Sequence, residues 1–172
     1  MTYFLDFDRT LFDTDAFISR LLEHSTSEPA SVERDEELGR MLEERMKKGE
    51  VIFPPEELKE FVYADVPEFL RGAGNEATIV TYGNPLLQKF KIEHALKGIP
   101  RLSVFYTDQT RKGEFLTSRI HAYASPVFVD DRTIELESVM THCPAVRVYE
   151  MRRDGGAGDG RWPVIRSLTE LP

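Results

Sequence analysis

At 172 residues the chain is long enough for one domain with a proper hydrophobic core, or for one domain carrying an insertion. Its hydrophobic fraction of 41% and charged fraction of 30% are those of a globular protein, and a net charge of −8 without a basic cluster argues against nucleic acid as a partner. No apolar run is long enough to cross a membrane, the first residues carry no signal-like segment, and a lone Cys143 permits no intrachain disulfide, so a cytoplasmic location is expected.

The first predicted element is a strand over Thr2–Asp6, built on Tyr3, Phe4 and Leu5 and followed at once by Asp6, Asp8 and Thr10. Two acids at alternate positions of a strand end are expected on one side of the chain, at the carboxyl edge where open α/β sheets bind ligands. Like charges so close raise each other's pKa unless a cation neutralises them. The pair therefore implies a metal site or an acid/base pair, set against a plain polar turn.

The next strand, Ala77–Thr81, lies about twice as far along as a βαβ crossover of about 30 residues requires. The surplus reads as helical. Phe17, Ile18, Leu21 and Leu22 suit one amphipathic helix, and Leu38, Met41, Leu42 and Met46 a second that ends at Lys47, Lys48 and Gly49. Pro54 and Pro55 before Glu56 and Glu57 mark the start of a third. From Thr14 to Val66 there are 14 acidic and 7 basic residues, so this segment carries nearly all of the net charge. It is expected to be a cap over residues 15–66, with the α/β core formed by 1–14 and 67–172. Its Leu and Met stripes are expected in the core rather than against a ligand.

Beyond Thr81, Tyr82-Gly83-Asn84 leads into a helix over Pro85–Lys97 that stops at Gly98. A hydroxyl and free N–H groups at a helix entry suit an anion. Leu102–Thr107 is the third strand, followed by Lys112 and a helix over Gly113–Ala122. A lysine at a helix N-terminus works against the dipole and gains from a nearby anion. Val127–Val129 is the fourth strand, ending in Asp130 and Asp131, a second acidic pair of the kind hard divalent cations require. Ala145–Glu150 is the fifth, a candidate edge strand. Pro163–Leu171 reads as a closing helix with Val164, Ile165 and Leu168 on its stripe. Strands alternating with helices predict a three-layer α/β fold of Rossmann-like type, with a parallel sheet covered on both faces.

Three features carry no function. Gly155–Gly160 lacks dinucleotide-loop spacing and has no βαβ unit to complete it. The four histidines, His24, His94, His121 and His142, have no metal-like spacing, and Cys143 reads as a structural thiol.

The ordered set of acidic pair, hydroxyl, lysine and acidic pair, each at the end of a successive strand, resembles the haloacid dehalogenase superfamily of phosphatases. Asp6-Phe-Asp-Arg-Thr fits the first motif, Thr81 the second, Lys112 the third and Asp130-Asp131 the fourth. The resemblance covers the chain apart from the helical segment, which is identified as a short cap by its position. It implies that Asp6 attacks phosphorus to give an aspartyl-phosphate, with Asp8 as general acid and then base. It implies that Mg2+ is held by Asp6, the backbone carbonyl of Asp8 and the Asp130-Asp131 pair, with Asp131 favoured as the direct ligand. Thr81 and Lys112 would hold the phosphoryl oxygens of a small phosphorylated substrate. An acid at Asp8 disfavours dehalogenation. A phosphomutase with the same site and a non-catalytic phospho-ligand or protein-binding module are the alternatives. Arg9 has no catalytic role in this reading, and the acidic cap argues against highly anionic substrates.

Overall fold

The structure is a computed structural model that describes residues 1–23, 34–73, 76–99, 102–107 and 111–172; His24 lies outside them, and of residues 34–38, Leu38 included, only the backbone is described. Six strands form one all-parallel sheet in the order β3-β2-β1-β4-β5-β6. These are β1 Thr2–Leu5, β2 Ala77–Tyr82, β3 Ser103–Thr107, β4 Pro126–Asp130, β5 Arg147–Met151 and β6 Val164–Ile165. β1 sits at the centre, paired with β2 on one side and β4 on the other. This is the α/β, Rossmann-like, three-layer arrangement expected from the alternation of elements.

Strand alternation divides the core into two faces. Leu5, Ile79, Val127 and Val129 point into one apolar cluster, and Phe4, Val80 and Phe128 into the other. The first cluster is covered by α1 (Thr14–Glu23), α2 (Arg34–Lys47), a 3-10 helix over Pro55–Phe61, α3 (Val66–Ala73) and α4 (Pro85–Ala95). The second is covered by α5 (Lys112–Thr117) and α6 (Thr133–His142). Each buried Leu, Ile, Val or Phe contributes about 1.5–3 kcal/mol to folding, so the sheet is held from both sides. The helical segment between β1 and β2 shares this core. Phe17, Leu21, Leu42, Phe53 and Leu58 join the cluster of Leu5 and Ile79.

Several boundaries differ from expectation. The Pro163–Leu171 segment is not a helix. Its β-branched Val164 and Ile165 pair in parallel with Glu150 and Met151, so β6 rather than β5 forms the edge. The chain then turns through a 3-10 helix over Leu168–Glu170, closed by a reciprocal capping box between Ser167 and Glu170. A strand does therefore follow the Gly155–Gly160 loop, but no helix lies between, and no βαβ unit forms. The expected Gly113–Ala122 helix breaks after Thr117, whose hydroxyl back-bonds to Gly113 O at 2.9 Å; Ile120–Ala122 resumes as a single 3-10 turn. α3 and α6 were not foreseen. α6 mixes Thr133, Ile134, Val139 and Thr141, weak helix formers, with buried Glu135 and Ser138, which blurs its stripe. Met41, expected in a core stripe, is 43% exposed. Among the described residues no helix is long and apolar enough to cross a membrane.

Candidate active site

The carboxyl ends of β1, β2 and β4 and the N-termini of α4 and α5 meet at one cavity of about 700 Å3, roofed by α1 and α2. Asp6, Asp8, Lys112 and Asp131 form its floor, and Gln88 and Lys91 its α4 wall. Phe17, Ile18 and Leu42 roof it, so Leu42, expected in the core rather than against a ligand, also faces the space where a ligand would sit.

The two leading acids part company. β1 ends at Leu5, and the chain turns tightly at once, with Leu11 N and Phe12 N both donating to Phe7 O. Both carboxylates line the cavity, but they meet different partners. The Asp6 carboxylate faces Lys112, while that of Asp8 faces α4. Arg9 completes the turn at φ 59°, a left-handed conformation rare outside glycine, and its guanidinium is bound by Asp15 of α1 at 2.7 Å.

Around Asp6, the fully buried Lys112 ammonium donates to Asp6 Oδ1 and, at 2.7 Å, to Asp130 Oδ2. Burial opposes the charge on Lys112, but Asp130 and Asp6 outweigh it and raise its pKa. Lys112 is fixed from behind. Its own N–H donates to Glu135 Oε2 at 2.8 Å, and Gly113 N to Ser138 Oγ at 3.1 Å. A Cβ on Gly113 would lie 2.1 Å from Ser138 O, so only glycine lets α6 approach here. Asp130 also accepts from Arg132 N at 3.0 Å, which leaves Asp131 as the acid of the pair that lines the cavity.

Asp6, Asp130 and Asp131 can each present one oxygen within 4.8 Å of the others, the one such group of three among the described residues. Burial pushes the Asp6 carboxyl well above the usual range, with Asp130, Asp131 and Asp8 adding to it and Lys112 opposing. Burial and then the Asp130 charge push Asp131 up to about 7. Such crowding of hard oxygen donors is relieved by a divalent cation, so the donor set fits Mg2+.

Around Asp8, three side chains donate to one carboxylate. Thr14 Oγ1 and Lys91 Nζ reach Oδ1 at 2.6 and 2.5 Å, and Gln88 Nε2 reaches Oδ2 at 2.7 Å. Burial alone would raise this carboxyl, but the Lys91 charge and the three donors hold it below the usual range. Neither Gln88 nor Lys91 was foreseen. The available signal was a lysine and a glutamine three positions apart on α4, beside Leu87, Ile92 and Ala95 of its buried side.

Thr81 is buried at the end of β2, which runs one residue further to Tyr82. Its hydroxyl has no partner among the described residues, and the cavity wall here is made by Tyr82, Gly83 and Asn84. Asn84 caps α4 by accepting from Leu86 N and Leu87 N. Cys143 is buried with its Sγ 3.8 Å from Gly113 O and does not line the cavity.

No protein-family model matches the sequence, and no curated protein matches it. Solved structures do. A Burkholderia xenovorans protein described as a haloacid dehalogenase-like hydrolase aligns at TM-score 0.66 and 18% identity, covering 99% of this chain and 94% of that one. The HAD-hydrolase YfnB of Bacillus subtilis, whose structure is bound to magnesium, aligns at TM-score 0.64 and 14% identity over 99% and 96%. The UTR4 protein of Saccharomyces cerevisiae aligns at TM-score 0.58 and 17% identity over 99% of each chain. The fold is thus that of the haloacid dehalogenase-like hydrolases. Its acidic cluster lies at the carboxyl edge of the central strands, beside a cavity that the helical segment covers.

Proposed function

We propose that the protein is a Mg2+-dependent phosphohydrolase of a small phosphorylated metabolite, working through an aspartyl-phosphate on Asp6 in the cytoplasm. The observation that carries this reading is the division of the two leading acids. Asp6 sits in a carboxylate cluster with Lys112, and Asp8 sits apart among three hydrogen-bond donors. One acid is thereby suited to attack and the other to move protons.

Asp6 and Asp131 would hold the metal directly together with the backbone carbonyl of Asp8, and Asp130 through water. Bound there, Mg2+ would neutralise charge on the phosphoryl oxygens. A carboxylate oxygen of Asp6 attacks phosphorus, the ester P–O bond breaks, and the leaving oxygen takes its proton from Asp8. Water then attacks the phosphorus, Asp8 takes the water proton, and orthophosphate leaves with Asp6 restored. The donors around Asp8 favour the carboxylate, the form that the second half needs. Lys112 balances the phosphoryl charge, and the orphan hydroxyl of Thr81 lies at the second strand end, where it would support the same oxygens. Residues 15–66 act as the cap, and Phe17, Ile18 and Leu42 would shape the space for the leaving group.

A panel of phosphorylated metabolites, read by free phosphate, tests this reading. Turnover that requires Mg2+ and stops on chelation is expected. Undiminished turnover in the presence of a chelator would refute it.

A further inference from the structure

We infer that Lys91 and Gln88 are positioning residues that aim Asp8, and that proton transfer runs through Asp8 Oδ2. The inference rests on the phosphohydrolase reading. A carboxylate has about four lone-pair sites, two on each oxygen. Among the described residues, Oδ1 is filled by Thr14 Oγ1 and Lys91 Nζ, and Oδ2 by Gln88 Nε2 alone. One acceptor site is therefore left, on Oδ2, and Asp8 lines the cavity. A leaving oxygen or an attacking water has that site to use.

The holders are themselves fixed. Lys91 and Gln88 are only 3% and 6% exposed, although both are long polar side chains. The Lys91 ammonium lies 5.5 and 5.6 Å from the ring centres of Phe7 and Phe12, so it is packed against the loop that carries Asp8. Gln88 Nε2 also donates to Tyr82 O at 3.3 Å. Gly83, at φ 129°, makes room for it, since a Cβ there would lie 3.0 Å from that nitrogen. A lysine buried at this cost is not needed to fill space, because a methionine would do so. What it supplies is a charged donor at one oxygen of Asp8. Thr14, the first residue of α1, shares that oxygen, so Asp8 is tied to the helical segment and to α4 together.

The test compares the wild type with Lys91→Met on phosphate monoesters whose leaving groups run from nitrophenol through phenol to an alkyl alcohol. The readout is kcat/KM, which covers steps up to departure of the leaving group. A misdirected acid harms basic leaving groups most. The expected result is a loss of about 100-fold for the alkyl ester and only a few-fold for the nitrophenyl ester. The Mg2+-induced rise in melting temperature should persist, because Lys91 touches none of the Asp6, Asp130 and Asp131 carboxylates and Asp8 would lend the metal only its backbone carbonyl. Gln88→Leu, which leaves Lys91 in place, should give the same pattern if Lys91→Met does not fold. Equal loss across all esters, no loss, or a vanished Mg2+ shift would overturn the inference while leaving the phosphohydrolase reading standing. A wild-type protein that cleaves none of the esters would refute that reading, and the inference with it.

Discussion

Replacing Lys112 with methionine should weaken the fold more than any other single change at the site. The ammonium is fully buried and touches two carboxylates, Asp6 and Asp130, of which Asp130 is itself fully buried. Removing one partner of a buried ion pair costs about 3–5 kcal/mol, because the remaining charges lose their compensation. In a chain of this size each kcal/mol moves the melting temperature by about 2–4 °C, so a fall of roughly 10 °C is expected. The loss should depend on pH. Asp6 is already pushed upward by burial, and without Lys112 the stranded acids are eased by taking a proton. Urea unfolding of metal-free wild type and Lys112→Met at pH 8 and pH 5 measures both effects. The deficit should be largest at pH 8 and shrink at pH 5. A deficit below about 1 kcal/mol at pH 8, the scale of an exposed pair, would refute the reasoning.

Three further outcomes follow from the same geometry. Gly113→Ala should destabilise by about 1–3 kcal/mol, since its Cβ collides with Ser138 O and forces α5 from α6; chemical denaturation reads this directly. Asp65 accepts from Arg153 at 2.9 Å, Ser167 at 2.9 Å and Leu168 N at 2.6 Å, and these contacts, opposed by burial, hold its pKa low. Its contribution is therefore present above the ordinary carboxylate pKa and lost as pH falls through the lower folded value. Asp65→Asn should cost about 2–3 kcal/mol at pH 7 and much less in strong acid, as judged by urea midpoints across pH. Mg2+ at 100 times its dissociation constant should add about 2.7 kcal/mol of stability to the wild type, seen as a rise in melting temperature that Asp131→Asn diminishes.

Much of the fold was legible because each strand carries its own local signal. Phe4-Leu5, Ile79-Val80 and Val127-Phe128-Val129 are continuous apolar runs, as strands buried on both faces must be. The floor acids were legible because their strands end where charge begins, and Lys112 because it opens a helix against the dipole. Lys91 and Gln88 were not, since a polar residue on a helix reads as solvated until its tertiary partner is known. The parting of Asp6 and Asp8 was hidden for a related reason. Alternation brings both acids to the cavity but does not say which distant side chains meet each of them. The tail misled because Val164, Ile165 and Leu168 fit a helical stripe, whereas the open edge of β5 favours pairing. The excess acid in residues 14–66 gave a poor guide to the cavity, whose lining includes Arg9, Arg40, Lys91 and Arg132.

The central claim is that Asp6 is the nucleophile, and the most direct measurement is acid quenching during turnover of an aryl phosphate with Mg2+, followed by mass analysis of the tryptic peptide ending at Arg9. The account predicts a phosphoryl group on that peptide, located at Asp6 by fragmentation and absent from Asp6→Asn, which releases no phosphate. Sustained phosphate release by Asp6→Asn would contradict it.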